Sequence, residues 1–502
     1  MTKYSFVIDQ TRCIGCHACT VACKMENDVP IGVFRTWVKY VERGEFPYVR
    51  RFYAVLRCNH CEDAPCVEIC PTSALYKRED GIVDFDNSRC IGCKACMQAC
   101  PYDALYIDPQ TKTAAKCHFC AHRVVNGLDP ACVIVCPTQA ILWGDLEDPA
   151  SEVSKALRSG PSSVRKPEQK TNPKLFYIGA DHAVLSPLTS RREKMYLWAE
   201  NIDRSGVEEG LSLVKTKVAY DISHPKPWGA KISTYLWTKS ISAGIMLMLS
   251  ALAILSPSLI AAISSEIYKI IALSFAFLAI TGYLLVADLR QPRRFIYIFL
   301  KPNFSSWLVK GAFIISLFGL IILLWLTAPN SPILHYATIP VAALASGYSA
   351  FLFAQAEGRD FWQTPLSFIH FIFSTLQAGS AVLMIASPLL LAGFPSSMMH
   401  AFTAALILSN IVLALAGLSD VFQKHATSEA ELSARYVRSG GGAYGFWLAF
   451  IAVGVIASTV LGAVYLASQE YLYAALAAAT ALVGLYAYEH TWVKAGQVPP
   501  LS

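Results

Sequence analysis

The chain has 502 residues, 54% of them hydrophobic and 16% charged, with a formal net charge of +6 and sixteen cysteines. That composition is too apolar for an ordinary soluble protein, and the length allows several domains. The small positive balance calls for no nucleic-acid partner. The averages also hide an uneven chain, since every cysteine falls between Cys13 and Cys136 while long apolar runs begin only near Tyr235.

The opening "MTKYSFVID" has no apolar stretch of signal-peptide length and no twin arginine, so the cysteine-rich head is expected to have no export address of its own. The cysteines form four runs of four: Cys13, Cys16, Cys19, Cys23; Cys58, Cys61, Cys66, Cys70; Cys90, Cys93, Cys96, Cys100; and Cys117, Cys120, Cys132, Cys136. None is left over, and the last three runs end in Cys-Pro. Three closely spaced cysteines wrap one iron–sulfur cube, while the fourth points along the chain to a neighbouring cube. Proline after it lacks the N–H that a continuing helix would use. Pairs of runs that exchange their last cysteines predict four 4Fe-4S clusters. Zinc is the rival, but an all-cysteine zinc site uses two separated Cys-x-x-Cys pairs, and the first and third runs place four thiols within eleven residues. Only the fourth run, read alone, looks like a zinc ribbon.

Both "FVIDQTRC" and "DFDNSRC" read as a short strand and turn entering a cluster loop, the repeated unit of a ferredoxin. His17, His60, His118 and His122 lie among the cysteines. With sixteen thiols already completing four cubes, they are expected to support the ligands or face solvent. No nucleophile triad, P-loop or dinucleotide fingerprint is present.

The cysteine spacing and the fused layout resemble the four-cluster ferredoxin subunit of the molybdopterin oxidoreductases, which include dimethyl sulfoxide, polysulfide, thiosulfate and tetrathionate reductases. The resemblance covers roughly residues 1–190. It implies that the first and fourth runs pair, as do the second and third. One cluster would take Cys13, Cys16, Cys19 and Cys136, and the next Cys117, Cys120, Cys132 and Cys23. The third would take Cys58, Cys61, Cys66 and Cys100, and the fourth Cys90, Cys93, Cys96 and Cys70. It also implies that the first lies nearest a catalytic subunit and the last nearest the membrane. Some relatives hold a three-iron cluster at the membrane end; here every cysteine position is filled.

From Asp145 to about Ser190 the chain is rich in Pro, Ser, Lys and Glu, and is expected to lie over the head or a partner. Residues 191–234 suggest an amphipathic helix and then a membrane-surface turn, with Trp198 and Trp228 at headgroup level. Apolar stretches of spanning length follow at about 235–257, 266–286, 307–327, 339–356, 365–390, 399–417, 443–463 and 471–488. The fold expected is therefore an α+β ferredoxin-like head with tandem cluster units, followed by an all-α bundle of eight transmembrane helices. The domains are 1–150, a connector 151–234 and a membrane domain 235–495.

Eight spans put both ends of the bundle and the even loops on the head's side. Those segments carry Arg290, Arg293, Arg294, Lys301, Arg359, Lys424, Arg435, Arg438 and Lys494, against chiefly Lys269 opposite. The positive-inside bias then places the head in the cytoplasm of a cell (inner) membrane protein. Stretches such as "HPKPWGAKISTYLWTKSISAG" and "DLRQPRRF" resemble the NrfD-like membrane subunit of the same complexes, over about residues 225–495.

Ionisable residues gather at the head-side ends of the spans: Lys239, Asp288, Glu357, Asp360, His370, Asp420, Glu489 and His490. A quinone exchanging two protons and two electrons needs hydrogen-bond partners, a proton path and a nearby cluster, so a quinone or menaquinone is expected on that side. The resemblance places it among the first helices. The candidates are His224, Lys239, Asp288 and His370, with Tyr283 as a neutral donor. No haem is expected, although His370 with His490 could bind one axially.

These features predict an electron-transfer and membrane-anchor subunit with its own quinone half-reaction, working in anaerobic respiration beside a large molybdenum or tungsten bis-pterin subunit. The alternative is the quinol-oxidising subunit of another respiratory complex that passes electrons to a carrier, with or without proton translocation. Glu266 and Glu470 lie near the far rim and the span centres are almost free of carboxylates, which favours a non-pumping anchor. A zinc-rich platform on a transporter is the third reading.

Overall fold

The computed structural model describes residues 2–192, 216–264, 266–390 and 394–502. In the head, "YSFVID" forms β1 (Tyr4–Asp9), whose middle residues are buried on both faces. It lies inside a four-stranded sheet ordered β8-β1-β10-β9. β8 (Ile141–Asp145) runs antiparallel to β1, and β10 (Leu175–Ile178) runs parallel to it with Phe6 opposite Leu175. β9 (Ser162–Ser163) closes the edge. A buried strand of this kind needs a nearly continuous apolar run, which both partners supply.

A second sheet orders β11 (Arg191–Arg192), β12 (Thr216–Tyr220), β2 (Thr36–Glu45) and β3 (Tyr48–Arg57). Two small hairpins, β4 (Leu75–Lys77) with β5 (Val83–Phe85) and β6 (Leu105–Ile107) with β7 (Ala114–Lys116), link successive cysteine runs. Each hairpin returns the chain to a new cluster loop, and the head is the α+β ferredoxin-type fold expected.

The proline- and lysine-rich connector lies on the head. Residues Glu152–Ser159 form a helix capped by Ser151, whose hydroxyl accepts from Ser154 N at 3.1 Å. Leu175 and Tyr177 of β10 then enter the core. The expected amphipathic helix and Trp198 lie outside the described residues. Trp228, expected at headgroup level, is instead buried at the seam between head and bundle, stacked on Trp362 at 5.5 Å.

Among the described residues, eight helices are long and apolar enough to cross a membrane: α1 (Ala230–Leu255), α2 (Ile267–Asp288), α3 (Trp307–Thr327), α4 (Pro332–Ala354), α5 (Leu366–Leu390), α6 (Ser396–Phe422), α7 (Tyr444–Ser468) and α8 (Tyr471–Ala495). Their number matches the sequence expectation. α6 and α8 run past the apolar windows, and there Asp420 of α6 accepts from Thr364 Oγ1 at 3.2 Å and Trp492 O of α8 accepts from Trp362 Nε1 at 3.3 Å. The first half of α7, Tyr444–Ala457, is a π-helix. Gly244 of α1 faces Gly379 of α5 so closely that a Cβ on Gly244 would stand 2.7 Å from Gly379 N, the small-residue contact that membrane helices use to approach.

Candidate functional site

In all four runs the residue before the second cysteine has positive φ: Gly15, His60, Gly92 and Phe119. That turn folds a two-residue link back on itself, so that both thiols can face one point. The residue after the second cysteine, His17 in the first run and Lys94 in the third, is also left-handed and starts a short helix bearing the next thiols.

These loops bring the sixteen cysteines into four groups. Cys13, Cys16, Cys19 and Cys136 line one cavity; Cys23, Cys117, Cys120 and Cys132 a second; and Cys70, Cys90, Cys93 and Cys96 a third. Cys58, Cys61, Cys66 and Cys100 lie within electrostatic reach of one another. The groups also adjoin in a line. Cys19 reaches Cys132, Cys117 reaches Cys58, and Cys66 reaches Cys96. Among the described residues no three Cys, His, Asp or Glu side chains converge tightly enough for a single ion.

The donor set suits iron–sulfur cubes. Each group offers four thiols, and buried hydrogen-bond donors point at them: Ala140 N to Cys136 Sγ at 3.2 Å, Gly92 N and Ala114 N to Cys90 Sγ at 3.4 Å each. Arg57, fully buried over the Phe6 ring, donates from Nη1 to Cys132 Sγ at 3.1 Å. Its Nε and Nη2 have no partner among the described residues, and cluster sulfides would accept from such donors. Burial pushes the Cys19 thiol up to about 11, with the Arg57 guanidinium opposing it. Of the four histidines, His60 is buried and accepts from Val83 N at 3.2 Å, while His122 pairs with Glu26 at 2.7 Å. His17 borders the Cys13 group and His118 packs against His122.

The Cys70/Cys90/Cys93/Cys96 group rests on the membrane domain. Asn303 Nδ2 donates to Cys70 O at 2.9 Å, Arg294 Nη1 to Cys90 O at 3.2 Å, and Trp228 Nε1 to Cys93 O at 3.4 Å. Gly358 N donates to Ala99 O at 3.1 Å, and Arg359 Nε to Gln98 Oε1 at 2.8 Å. Lys94 Nζ pairs with Asp288 Oδ2 at 2.7 Å.

Lys94 lines both the cysteine cavity and a larger groove of about 660 Å³, which Met97, Asp103, His224, Leu289 and Arg290 also border. In that groove His224 sits between Asp103, paired with its Nδ1, and Asp221, 3.3 Å from its Nε2. Burial alone would depress the imidazolium; the carboxylates of Asp221 and Asp103 outweigh it and hold the ring up at about 9.

The other expected quinone residues do not share this groove. Lys239 is buried inside the bundle, where Nζ donates to Ser346 O at 2.9 Å and to Ser349 Oγ, over the Tyr348 ring at 4.6 Å. His370 hydrogen bonds Ser374 Oγ at 3.3 Å, with its ring centroid 4.8 Å from that of Tyr488. Tyr283 is 72% exposed on the outer side of α2. His490, the other conceivable haem ligand, bonds Ser233 Oγ through Nδ1 at 3.2 Å.

Sequence reasoning missed Lys94, Arg57 and Tyr235. Tyr235 hydrogen bonds Ser349 and lies within electrostatic reach of Asp288 and Glu489, so it bridges the groove side to the Lys239 cluster. The one available signal was Lys94 in "CIGCKAC" where the first run has histidine; Arg57 and Tyr235 carry no local mark.

Comparison with known proteins agrees with this architecture. Two 4Fe-4S dicluster domain families match residues 12–75 and 49–146, and the family described as Polysulphide reductase, NrfD matches residues 220–500. A tetrathionate reductase subunit of Salmonella typhimurium is 46% identical over 202 residues, 39% of this chain and 80% of that protein. A polysulfide reductase polypeptide of Wolinella succinogenes is 44% identical over 179 residues, 35% of this chain and 94% of that protein. The thiosulfate reductase electron transfer subunit PhsB of Salmonella typhi is 48% identical over 156 residues, 30% of this chain and 80% of that protein. The chain thus joins a 4Fe-4S head to a multi-pass membrane domain, and it belongs to the NrfD family, as an electron-transfer and membrane-anchor subunit related to the iron–sulfur and NrfD-type subunits of molybdenum/tungsten-pterin oxidoreductases.

Proposed function

We propose that the chain carries electrons between a quinone in the head–membrane groove and a separate catalytic subunit, through four 4Fe-4S clusters. The single observation that supports it best is the shared wall: Lys94 borders both the Cys70/Cys90/Cys93/Cys96 cavity and the groove. The clusters would be held by Cys13, Cys16, Cys19 and Cys136; by Cys23, Cys117, Cys120 and Cys132; by Cys58, Cys61, Cys66 and Cys100; and by Cys70, Cys90, Cys93 and Cys96. Each would supply one-electron redox chemistry when bound.

The chain's own residues position and charge the site. His224, held protonated by Asp103 and Asp221, serves the quinone as a proton donor from the groove, with Lys94 and Asp288 as the second polar partner. Lys239 and His370 handle protons inside the bundle, and Tyr283 marks the lipid side of α2. Residues 1–150 conduct electrons, 151–234 tie the two parts together, and 235–495 bind quinone or menaquinone. The partner is a large subunit carrying a molybdenum or tungsten bis-pterin, with Ile14, Val21, Met25 and Ile134 exposed beside the Cys13 group as its apolar landing.

The head lies in the cytoplasm. Arg294 and Arg359 grip head residues, so this orientation rests mainly on Arg290, Arg293, Lys301, Lys424, Arg435 and Arg438.

The purified protein is expected to hold about sixteen irons with matching sulfide, and to pass electrons from a short-chain menaquinol to ferricyanide. Zinc in place of iron, or no transfer, would overturn the reading. Protease digestion of the head in right-side-out vesicles only would overturn the orientation.

A further inference from the structure

Between α2 and α3 the chain does not turn back at once. Residues 289–306, "LRQPRRFIYIFLKPNFSS", run along the boundary between head and bundle. Together with Lys310 in the first turn of α3, this stretch carries five basic residues and no acidic one.

The segment has two faces. On the inner one Ile298 is buried against Ile91 and Val309, beside Cys93. Its backbone follows the third cysteine run, with Arg290 N donating to Gly92 O at 3.2 Å and Gln291 N to Ile91 O at 3.1 Å. Arg294 Nη1 donates to Asn87 O at 2.7 Å, and Asn303 N to Pro71 O at 3.0 Å. The outer face is apolar and open: Leu300 is 68% and Phe304 61% exposed, and Phe295 and Ile296 are exposed beside them. The Phe304 ring stacks on Phe313 at 5.7 Å, and Phe299 meets Phe313 edge-on at 5.3 Å. Phe313 lies six residues into α3, about 9 Å along it at 1.5 Å per residue. Its exposed surface continues down the span through Leu317, Leu320 and Leu324, all exposed and on one helix face. The loop therefore folds down onto the lipid side of a membrane helix.

Charges stand above this apolar band. Arg290, Arg293 and Lys301 are exposed, and among the described residues no carboxylate pairs with them. Asp288, the nearest acid in sequence, is taken by Lys94. Lys301 Nζ lies over the Tyr297 ring at 5.3 Å and Lys310 Nζ over the Trp307 ring at 4.5 Å, the pairing of aromatic rings and cations that suits headgroup depth. A surface joined at both ends to membrane spans, apolar below and cationic above, complements a leaflet that is hydrocarbon in depth and anionic on top.

We propose that this segment binds an anionic phospholipid of the leaflet on the head's side, with its phosphate at Arg290, Arg293 and Lys301 and its acyl chains along Leu300, Phe304 and Phe313. Because the inner face of the same segment grips Ile91, Gly92 and Pro71, the bound lipid steadies the third cysteine run against the bundle. The site does not depend on what the groove binds.

The test offers equimolar phosphatidylglycerol and phosphatidylcholine to the full chain in detergent micelles and counts retained lipid by native mass spectrometry. The wild type is expected to favour phosphatidylglycerol about tenfold. Arg293→Gln combined with Lys301→Gln is expected to abolish that preference, and the charge-keeping pair Arg293→Lys and Lys301→Arg to preserve it. Equal retention of the two lipids by the wild type, or an unchanged preference in the double glutamine variant, would overturn the site. So would a dimeric mass that excludes both lipids, which would make this face a contact between copies. In nanodiscs, the amides of residues 290–294 are expected to exchange with deuterium about tenfold more slowly in phosphatidylglycerol than in phosphatidylcholine. Equal exchange would overturn the steadying of the cysteine run. Both wild-type measurements decide without any variant.

Discussion

Lys94 Nζ and Asp288 Oδ2 meet at 2.7 Å across the boundary between two parts of the chain separated by 194 residues. The lysine belongs to the third cysteine run and the aspartate ends a membrane helix, so one ion pair ties that cysteine loop to the end of α2. Removing one partner of a buried pair costs roughly 3 kcal/mol, because the other is left unpaired. Asp288→Asn is expected to slow menaquinol oxidation about tenfold or more, a change worth about 1.4 kcal/mol per decade. All cluster EPR signals should persist. Unchanged quinone kinetics would remove Asp288 from the site.

The His224 cluster predicts a pH dependence with a definite sign. Its imidazole is raised in the folded protein to about 9 from the ordinary 6.5. The stability from its carboxylate partners is therefore fully present below about pH 6.5 and is lost as pH rises through about 9. Thermal unfolding followed across this window should show a falling midpoint in the wild type and a flatter profile in His224→Gln. Parallel profiles would show that the ring is neutral in the folded chain.

Arg57 places a fixed positive charge against the Cys23/Cys117/Cys120/Cys132 group. A positive charge favours the reduced, more negative form of a cluster. Arg57→Leu is expected to lower that cluster's midpoint by about 60 mV or more, one tenfold change in a one-electron equilibrium. EPR-monitored redox titration reads it, and the midpoints of the other proposed clusters should move less. An unshifted potential would mean that the guanidinium only packs.

Two glycines let the membrane loops touch the cluster loops. A Cβ on Gly92, whose φ is +68°, would stand 2.5 Å from Arg290 Cβ and 3.0 Å from Lys112 O; one on Gly358 would stand 2.7 Å from Cys100 O. Backbone atoms cannot step aside as a flexible side chain can. Alanine at either site is expected to cost roughly 2 kcal/mol, and to broaden or abolish the EPR signal of the nearest cluster before the others. Wild-type thermal stability in both variants would contradict the close approach.

Much of this molecule is legible from local sequence, because its chemistry is local. Three cysteines two residues apart specify a cluster loop wherever they occur, and an apolar window of spanning length specifies a membrane helix. Lys94, Arg57 and Tyr235 are different: each matters through a partner far along the chain, Asp288, Cys132 or Ser349. β10 escaped for a related reason. "LFYI" is a strand only because β1 offers a parallel partner almost 170 residues earlier. The buried polar residues of α5, among them Ser374, Gln377, Ser380 and Ser387, were overlooked because neutral amides and hydroxyls do not interrupt an apolar window. Gln377 weighs little in mean hydropathy, and only the structure shows its Nε2 donating to Asn410 Oδ1 at 2.6 Å.

The meeting of Gly244 and Gly379 limits how this bundle can work. Backbone touches backbone there, with no side chain between to act as a bearing. Lys239 is carried five residues from one glycine and His370 nine residues from the other, so both ride on a single braced strut. Any change in how the two are placed must turn on side-chain rotation. Rocking one helix against the other is closed to it.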